Sequence, residues 1–453
     1  MTVSTIPKVL FLENRSITEI WSGVASLIQQ DFDCQLLRFN RAFGSNFPGK
    51  IVDLVISSQT NTADTTVDNF INTIYKTDRA VYLHGATKLE IRNAVLSVFE
   101  ILKQIKFDVV IGEVTSVYER AVEFYCRSNG IVFLAPMTAR IPADRFFFLD
   151  GSRISPLPIA AQQDEQNPLI NAAETAKRNV GKNDLAMVVD RHVRLLNTLR
   201  TLYGWLIGER LHTPSPLRKV LLNRQQKHAM FQLANSSLAD IEDVNQSAVI
   251  YCMHVQPEST LDTYSPDFWD QAKVVSTIAQ ACKSVQRPFF VRPHPRGKHE
   301  CVLHLLKIQA EGIAILSPKV SMQSLLKLKP MVVTVSGTVL LEAASAGAPT
   351  IALDKSYLAT FPGVLQLTPD NFYQVLSGEI TTPAASLPLH QAWFESVNCF
   401  SHKGMMSPPE WSTEAVSDKN IADIAAGIRL AIGWCLDAKS KHLAPPDKSN
   451  DLT

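Results

Sequence analysis

Short apolar, β-branched runs alternate with amphipathic helical segments twice along this chain. An open α/β sheet with helices on both faces is the fold class that accommodates such alternation. In the first stretch, strands are expected at Lys8–Glu13, Cys34–Phe39, Ile51–Ser57, Ala80–His84, Asp108–Gly112 and Ile131–Ala135. Helical periodicity lies between them, at 17–30 (Ile17, Ile20, Trp21, Val24 and Ile28 on one face), 88–106 and 116–129. Alternation resumes with strands at Ala248–His254, Pro288–Arg292, Ile313–Leu316, Met331–Val335 and Pro349–Leu353. The expected architecture is α/β: two doubly wound, Rossmann-like domains facing a cleft.

Prolines and amides at 156–176 break the pattern, and 177–235 is helical with almost no strand signal. The expected divisions are therefore an N-terminal domain over 1–155, a helical connection over 156–246, a C-terminal domain over 247–380 and a helical segment over 381–453. In the connection, Leu195, Leu196, Leu199 and Leu202 form an apolar stripe that Trp205 extends. It suits packing on the sheet domains or lying on a bilayer surface, and packing is the expectation. The last helix, Ser417–Leu436, carries Ile421, Ile424, Ile428, Ile432 and Cys435 on one face and is expected to pack across the domain junction.

A formal net charge of +1 argues against a broad nucleic-acid surface. No run approaches a membrane-spanning length, and the start MTVSTIPKVLFLEN leads to the expectation of no signal peptide. The seven cysteines are scattered and include no CxxC pair. Reduced thiols and a cytoplasmic location are expected, with peripheral attachment to the inner membrane face as the variant the leucine stripe allows.

The chemistry gathers where strands end. Ser336-Gly337-Thr338 follows a buried strand and opens a helix, an arrangement that gathers hydroxyls and free N–H groups at one point and suits an anion. Glu342, one helical turn on, suits the two hydroxyls of a ribose. A plain βαβ crossover with Ser336 as a cap has the same local pattern. The loop Arg292-Pro293-His294-Pro295-Arg296 is braced by prolines, so His294 is presented between two arginines able to hold a phosphate or carboxylate. A third loop, His254-Val255-Gln256-Pro257-Glu258-Ser259-Thr260, follows another strand and offers Gln256, Glu258 and Ser259 to a substrate. No second histidine or cysteine lies at ligand spacing near His294, so no metal is expected.

HVQPEST, VRPHP and TVSGTVLLEAASAGAPTIALD, in this order over roughly 248–365, resemble the capsule polysaccharide biosynthesis family. That family includes bacterial Kdo transferases and is similar in motif logic to bacterial sialyltransferases. The resemblance implies a GT-B-like glycosyltransferase that takes a nucleotide sugar, CMP-linked in the nearest pattern, to a glycan or glycolipid acceptor without a further cofactor. It implies that His294-Pro295 contacts the nucleotide and that Ser336 and Thr338 hold its phosphate. UDP-sugar 2-epimerases share the fold and a similar Ser-Gly turn followed by a glutamate. A non-catalytic glycan-binding subunit of the same fold is the third reading.

The acidic pair followed by glycine that supplies the base in those sialyltransferases is missing; the nearest triplet is Leu149-Asp150-Gly151. A base must therefore be sought by position. Glu113 directly follows the buried strand DVVIG, and Glu13 ends the first strand. Glu113 is the first candidate, with a raised pKa expected from partial desolvation, and Glu13 and His254 follow. Either glutamate also suits a plain capping role.

Overall fold

The structure is a computed structural model. It describes residues 6–57, 65–139, 144–153, 155–160, 191–207, 209, 211, 215–234, 236–256, 260–294, 302–368, 371–409 and 412–440.

The first sheet begins with β1 (Lys8–Leu12), β2 (Asp33–Arg38), β3 (Lys50–Asp53), β4 (Val109–Ile111) and β5 (Val132–Ala139), all parallel. β6 (Arg145–Asp150) returns antiparallel to β5, which the alternation had not indicated. Its Phe146 and Phe148 enter the core on one face of the sheet and Phe147 the core on the other, so the phenylalanine run is buried on both sides. The second sheet is parallel throughout: β7 (Val249–Cys252), β8 (Phe289–Arg292), β9 (Ala314–Ile315), β10 (Met331–Thr334), β11 (Thr350–Ala352) and β12 (Val364–Gln366). β13 (His402–Lys403) then rejoins the first sheet beside β6. The orders are β13-β6-β5-β4-β1-β2-β3 and β12-β11-β10-β7-β8-β9.

The strands are nearly continuous Val, Ile, Leu and Phe runs because helices cover both faces. Thr18–Ile28 lies on one face of the first sheet, and Lys88–Gln104 and Val117–Ser128 on the other. Lys88–Gln104 starts at a capping box in which Thr87 and Glu90 satisfy each other's backbone N–H groups. Asp418–Ser440 buries Ile421, Ile424, Ile428, Ile432 and Cys435 beside Val9, Phe11 and Trp21, so this helix packs on the first sheet. Ser417 Oγ accepts the Asn420 N–H at 3.3 Å and caps that helix.

Two expectations change. Ala80–His84 is not a strand, because Asp78 accepts the Ala80 N–H at 2.9 Å and starts the short helix Arg79–Tyr82. The leucine stripe of the helix Arg191–Leu206 does not pack on the sheets, and Leu195, Leu196, Leu199 and Leu202 are exposed. This helix meets the first unit on its other side, where Gly204 lies against Asn40.

Candidate functional site

Each sheet reverses its strand order once, between β1 and β4 in the first and between β7 and β10 in the second. Connections leave the two strands at such a point towards opposite faces, which opens a crevice at their carboxyl ends. Glu13 follows β1 and Glu113 lies just beyond β4. His254 and Gln256 follow β7, and Ser336-Gly337-Thr338 follows β10. Both switch points thus carry residues singled out above.

His254 is buried and held from several sides. Its backbone N–H donates to Gln271 Oε1 at 2.8 Å, and its carbonyl accepts from Gln271 Nε2 at 3.1 Å. Its ring Nε2 accepts the Ser336 backbone N–H at 3.0 Å. A backbone N–H only donates, so Nε2 holds a lone pair and the neutral ring carries its proton on Nδ1. Thr334 Oγ1 lies 3.3 Å from the same nitrogen and bonds the carbonyls of Cys252 and Ser336. Gln256 is also buried; its amide donates to the Trp269 carbonyl at 2.8 Å and accepts from Gln271 at 2.9 Å. The His254–Gln256 loop is therefore a cross-linked wall beside the Ser336 turn.

Gly337 has φ +111°, a conformation L side chains rarely adopt, and an added Cβ would sit 3.4 Å from His254 Cε1. Beyond the turn, Val339–Ser345 is about two turns of helix, so its dipole is a small contribution. Individual donors matter more. Among the described residues, the backbone N–H groups of Gly337, Thr338 and Val339 donate to no protein acceptor. Thr338 makes no side-chain cap bond.

At the end of β8, Arg292 has a buried Nε with no hydrogen-bond partner among the described residues. Burial raises the Glu342 carboxyl above its ordinary range, and the nearby Arg292 charge opposes that rise. Arg292 and Glu342 thus lie near each other on different elements. His294 is half-buried two residues past β8. β7 separates β8 from β10, so the ends of these two strands are about 10 Å apart. Glu258, Ser259, Pro295 and Arg296 lie outside the described residues.

On the first sheet, Glu13 is fully buried and accepts the backbone N–H groups of Arg15 at 2.5 Å and Asn40 at 2.9 Å, one on each oxygen. That geometry braces the loops after β1 and β2. Glu113 is half-buried, and its Oε2 accepts from Asn14 Nδ2 at 2.7 Å. Asn14 thereby ties the end of β1 to the end of β4.

The loop after β7 joins the two switch points. Its Tyr264 is buried in the core of the first unit, hydrogen-bonds the Val114 backbone and feels the charge of Glu113. Asp262 of the same loop pairs with Arg79 at 2.9 Å and accepts from Tyr82 Oη at 2.8 Å. Burial raises the Asp262 carboxyl, and Arg79 works against that rise. The loop after β7 therefore reaches the carboxyl end of β4 through Tyr264 and the Arg79–Tyr82 helix through Asp262.

Sequence reading missed Gln271, Thr334, Asn14 and Asp262. Gln271 opens a helix and Thr334 ends a strand, positions where polar residues are ordinary and nothing singles them out. Asp262 meets partners about 180 positions earlier, beyond the reach of any local pattern.

No protein-family model and no curated protein matches the chain. Solved structures similar to it include the β-Kdo 2,7-transferase of Thermosulfurimonas dismutans KpsC, at 8% identity over 88% of this chain and 92% of that one, with a TM-score of 0.34. The β-Kdo 2,4-transferase of the same KpsC shares 10% identity over 66% of this chain and 82% of that one, with a TM-score of 0.30. UDP-N-acetylglucosamine 2-epimerase from Rickettsia bellii shares 12% identity over 96% of this chain and 98% of that one, with a TM-score of 0.27. At these values the assignment rests on the geometry above: two doubly wound units joined at their switch points, the GT-B-like arrangement.

Proposed function

We propose that the protein is a glycosyltransferase that takes a sugar from a nucleotide-activated donor to a glycan or glycolipid hydroxyl. The observation that carries this reading is the pairing of two switch points. One offers unpaired backbone donors at Gly337–Val339 beside the orphan Arg292 Nε; the other offers the Glu113 carboxylate, a tyrosine-bearing loop away.

In this reading the donor phosphate sits on the Ser336–Val339 turn, with Arg292 facing its charge and Glu342 accepting from the ribose hydroxyls. His294 and Pro295 meet the nucleotide from the neighbouring loop. Glu113 takes the proton of the acceptor hydroxyl as its oxygen bonds the anomeric carbon. The glycosyl–phosphate bond breaks, its electron pair leaves on the phosphate, and the donors of the turn stabilise that charge. A CMP-linked ulosonic acid such as Kdo is the donor proposed, from the resemblance of the three loops.

The test is a thermal-shift panel of CMP, CDP, UDP, GDP and ADP on the intact chain and on Arg292→Met. A ligand that binds only the folded state raises the melting temperature. A shift with CMP that Arg292→Met removes supports the reading. No shift with any nucleotide overturns it in favour of a non-catalytic subunit. Interconversion of UDP-N-acetylglucosamine without an acceptor overturns it in favour of a 2-epimerase.

A further inference from the structure

β7 ends at Cys252, yet the backbone of His254 beyond it is paired at both its N–H and its carbonyl. A side chain does the pairing. The Gln271 amide accepts the His254 N–H at 2.8 Å and donates to the His254 carbonyl at 3.1 Å, the two bonds that a residue on a neighbouring strand would exchange. Gln271 is fully buried and opens the helix Gln271–Ser284. Asp270 before it turns tightly, with φ −82° and ψ 81°, and the Gln271 N–H closes that turn on the Trp269 carbonyl at 3.1 Å. The same carbonyl accepts from Gln256 Nε2 at 2.8 Å, and Gln256 Oε1 accepts from Gln271 Nε2 at 2.9 Å. Trp269 is itself seated edge-on against Tyr82 of the first unit, with 5.4 Å between ring centroids.

Backbone groups fix the direction of every bond in this relay. The His254 N–H only donates, so the Gln271 oxygen faces it and the Gln271 nitrogen faces the His254 carbonyl and Gln256. The Trp269 carbonyl only accepts, so Gln256 turns its nitrogen there and its oxygen to Gln271. Neither amide can flip without setting donor against donor or acceptor against acceptor. The oxygen and the nitrogen of Gln256 are thus both engaged inside the protein. At its other end the relay reaches the His254 ring, whose Nε2 accepts the Ser336 N–H at 3.0 Å. Gly337, Thr338 and Val339, which carry the unpaired N–H groups among the described residues, follow directly.

We propose that Gln271 is the positioning residue of the Ser336–Val339 turn, acting through the His254 ring, and that Gln256 supports Gln271 instead of meeting the substrate. On the reading above, that turn seats the donor phosphate; the effect of Gln271 on nucleotide binding rests on that reading, and its effect on the His254 ring does not. The test compares the intact chain with Gln271→Met and Gln256→Met, which keep side-chain length and remove the amide. With isotope-labelled histidine and no nucleotide, the nitrogen spectrum of the wild type near neutral pH should show one fixed His254 tautomer, with Nε2 bare and Nδ1 protonated. That signal is assigned by its absence in His254→Phe. Gln271→Met should replace it with the averaged signals of exchanging tautomers. The same variant should weaken CMP binding about tenfold in calorimetric titration, the scale of one hydrogen bond. Gln256→Met, one link further out, should weaken CMP binding less, about threefold. If Gln271→Met does not fold, Gln271→Glu at alkaline pH keeps the acceptor for the His254 N–H and loses both donors, and the same two changes are expected of it. An unchanged His254 signal in the folded Gln271 variant overturns the proposal, and so does CMP binding as tight as in the wild type. A larger loss from Gln256→Met than from Gln271→Met also overturns it, by placing Gln256 on the ligand. A wild type that binds no CMP, with the His254 signal still altered by Gln271→Met, supports Gln271 as the anchor of the turn and refutes the nucleotide reading alone.

Discussion

Ser336 donates its backbone N–H to Nε2 of His254 at 3.0 Å, across the boundary between β10 and β7 where the second sheet reverses its strand order. The bond makes His254 an acceptor at Nε2 and sets the position of the turn that carries the free N–H groups. His254→Phe keeps an aromatic ring but leaves a buried N–H unpaired. A loss of about 1–3 kcal/mol in stability is expected. Nucleotide affinity should fall with it, because the turn loses its anchor. Urea melts and calorimetric titration measure the two effects, and unchanged values in both would remove the anchoring role.

Gly337→Ala should be damaging although the residue is half-exposed to its surroundings. Its φ of +111° strains any side chain, while a Cβ would meet His254 only at van der Waals distance. The expected cost is about 1–3 kcal/mol, with weaker nucleotide binding. A variant with wild-type melting and affinity would show that the turn tolerates another conformation.

Glu113→Gln preserves shape and the contact with Asn14 while removing basicity. Turnover is expected to drop by about 10²–10⁴-fold with nucleotide affinity unchanged. Near-normal turnover would take the role from Glu113 and leave Glu13 or His254, although both Glu13 oxygens accept backbone N–H groups and the His254 Nε2 lone pair accepts the Ser336 N–H.

Asp262→Ala should destabilise the fold by about 1–3 kcal/mol, because Arg79, whose side chain is 27% exposed, and the Tyr82 hydroxyl lose their buried acceptor. Arg79→Met in the same background should recover part of the loss. A melting curve for Asp262→Ala that matches wild type would mean that the contact between the two units adds nothing to stability.

His402 makes acid stability a test of the first sheet's edge. Burial, with Arg145 nearby, lowers its ring from 6.5 to about 4. The unfolded state therefore binds more protons than the folded state between these values, and acid favours unfolding there. Stability fully present above pH 6.5 should fall as the pH drops towards 4. His402→Phe should flatten that part of the curve. The same slope in the variant would assign the effect to other groups.

Much of the fold was legible because strand and helix periodicities are local. Runs such as KVLFL and MVVT read as buried strands, and Gly337 between two hydroxyl residues reads as a turn. Ile421 to Cys435 announced a helix with one buried face. Ala80–His84 misled because a short apolar run looks the same in either state, and the Asp78 cap decided it.

Sequence alone determined most of the buried parallel strands and the polar groups that follow them, while β6 and the Arg79–Tyr82 helix escaped it. Tertiary structure decided which strands are neighbours. His254 and Ser336 become partners only because β7 lies beside β10, and Glu113 comes near Tyr264 only because that residue enters the other unit's core. Gln271 locks His254, and Asp262 meets Arg79, through contacts between residues far apart in the chain. Such pairings depend on sheet order and on which buried groups find partners together, and no local period records either.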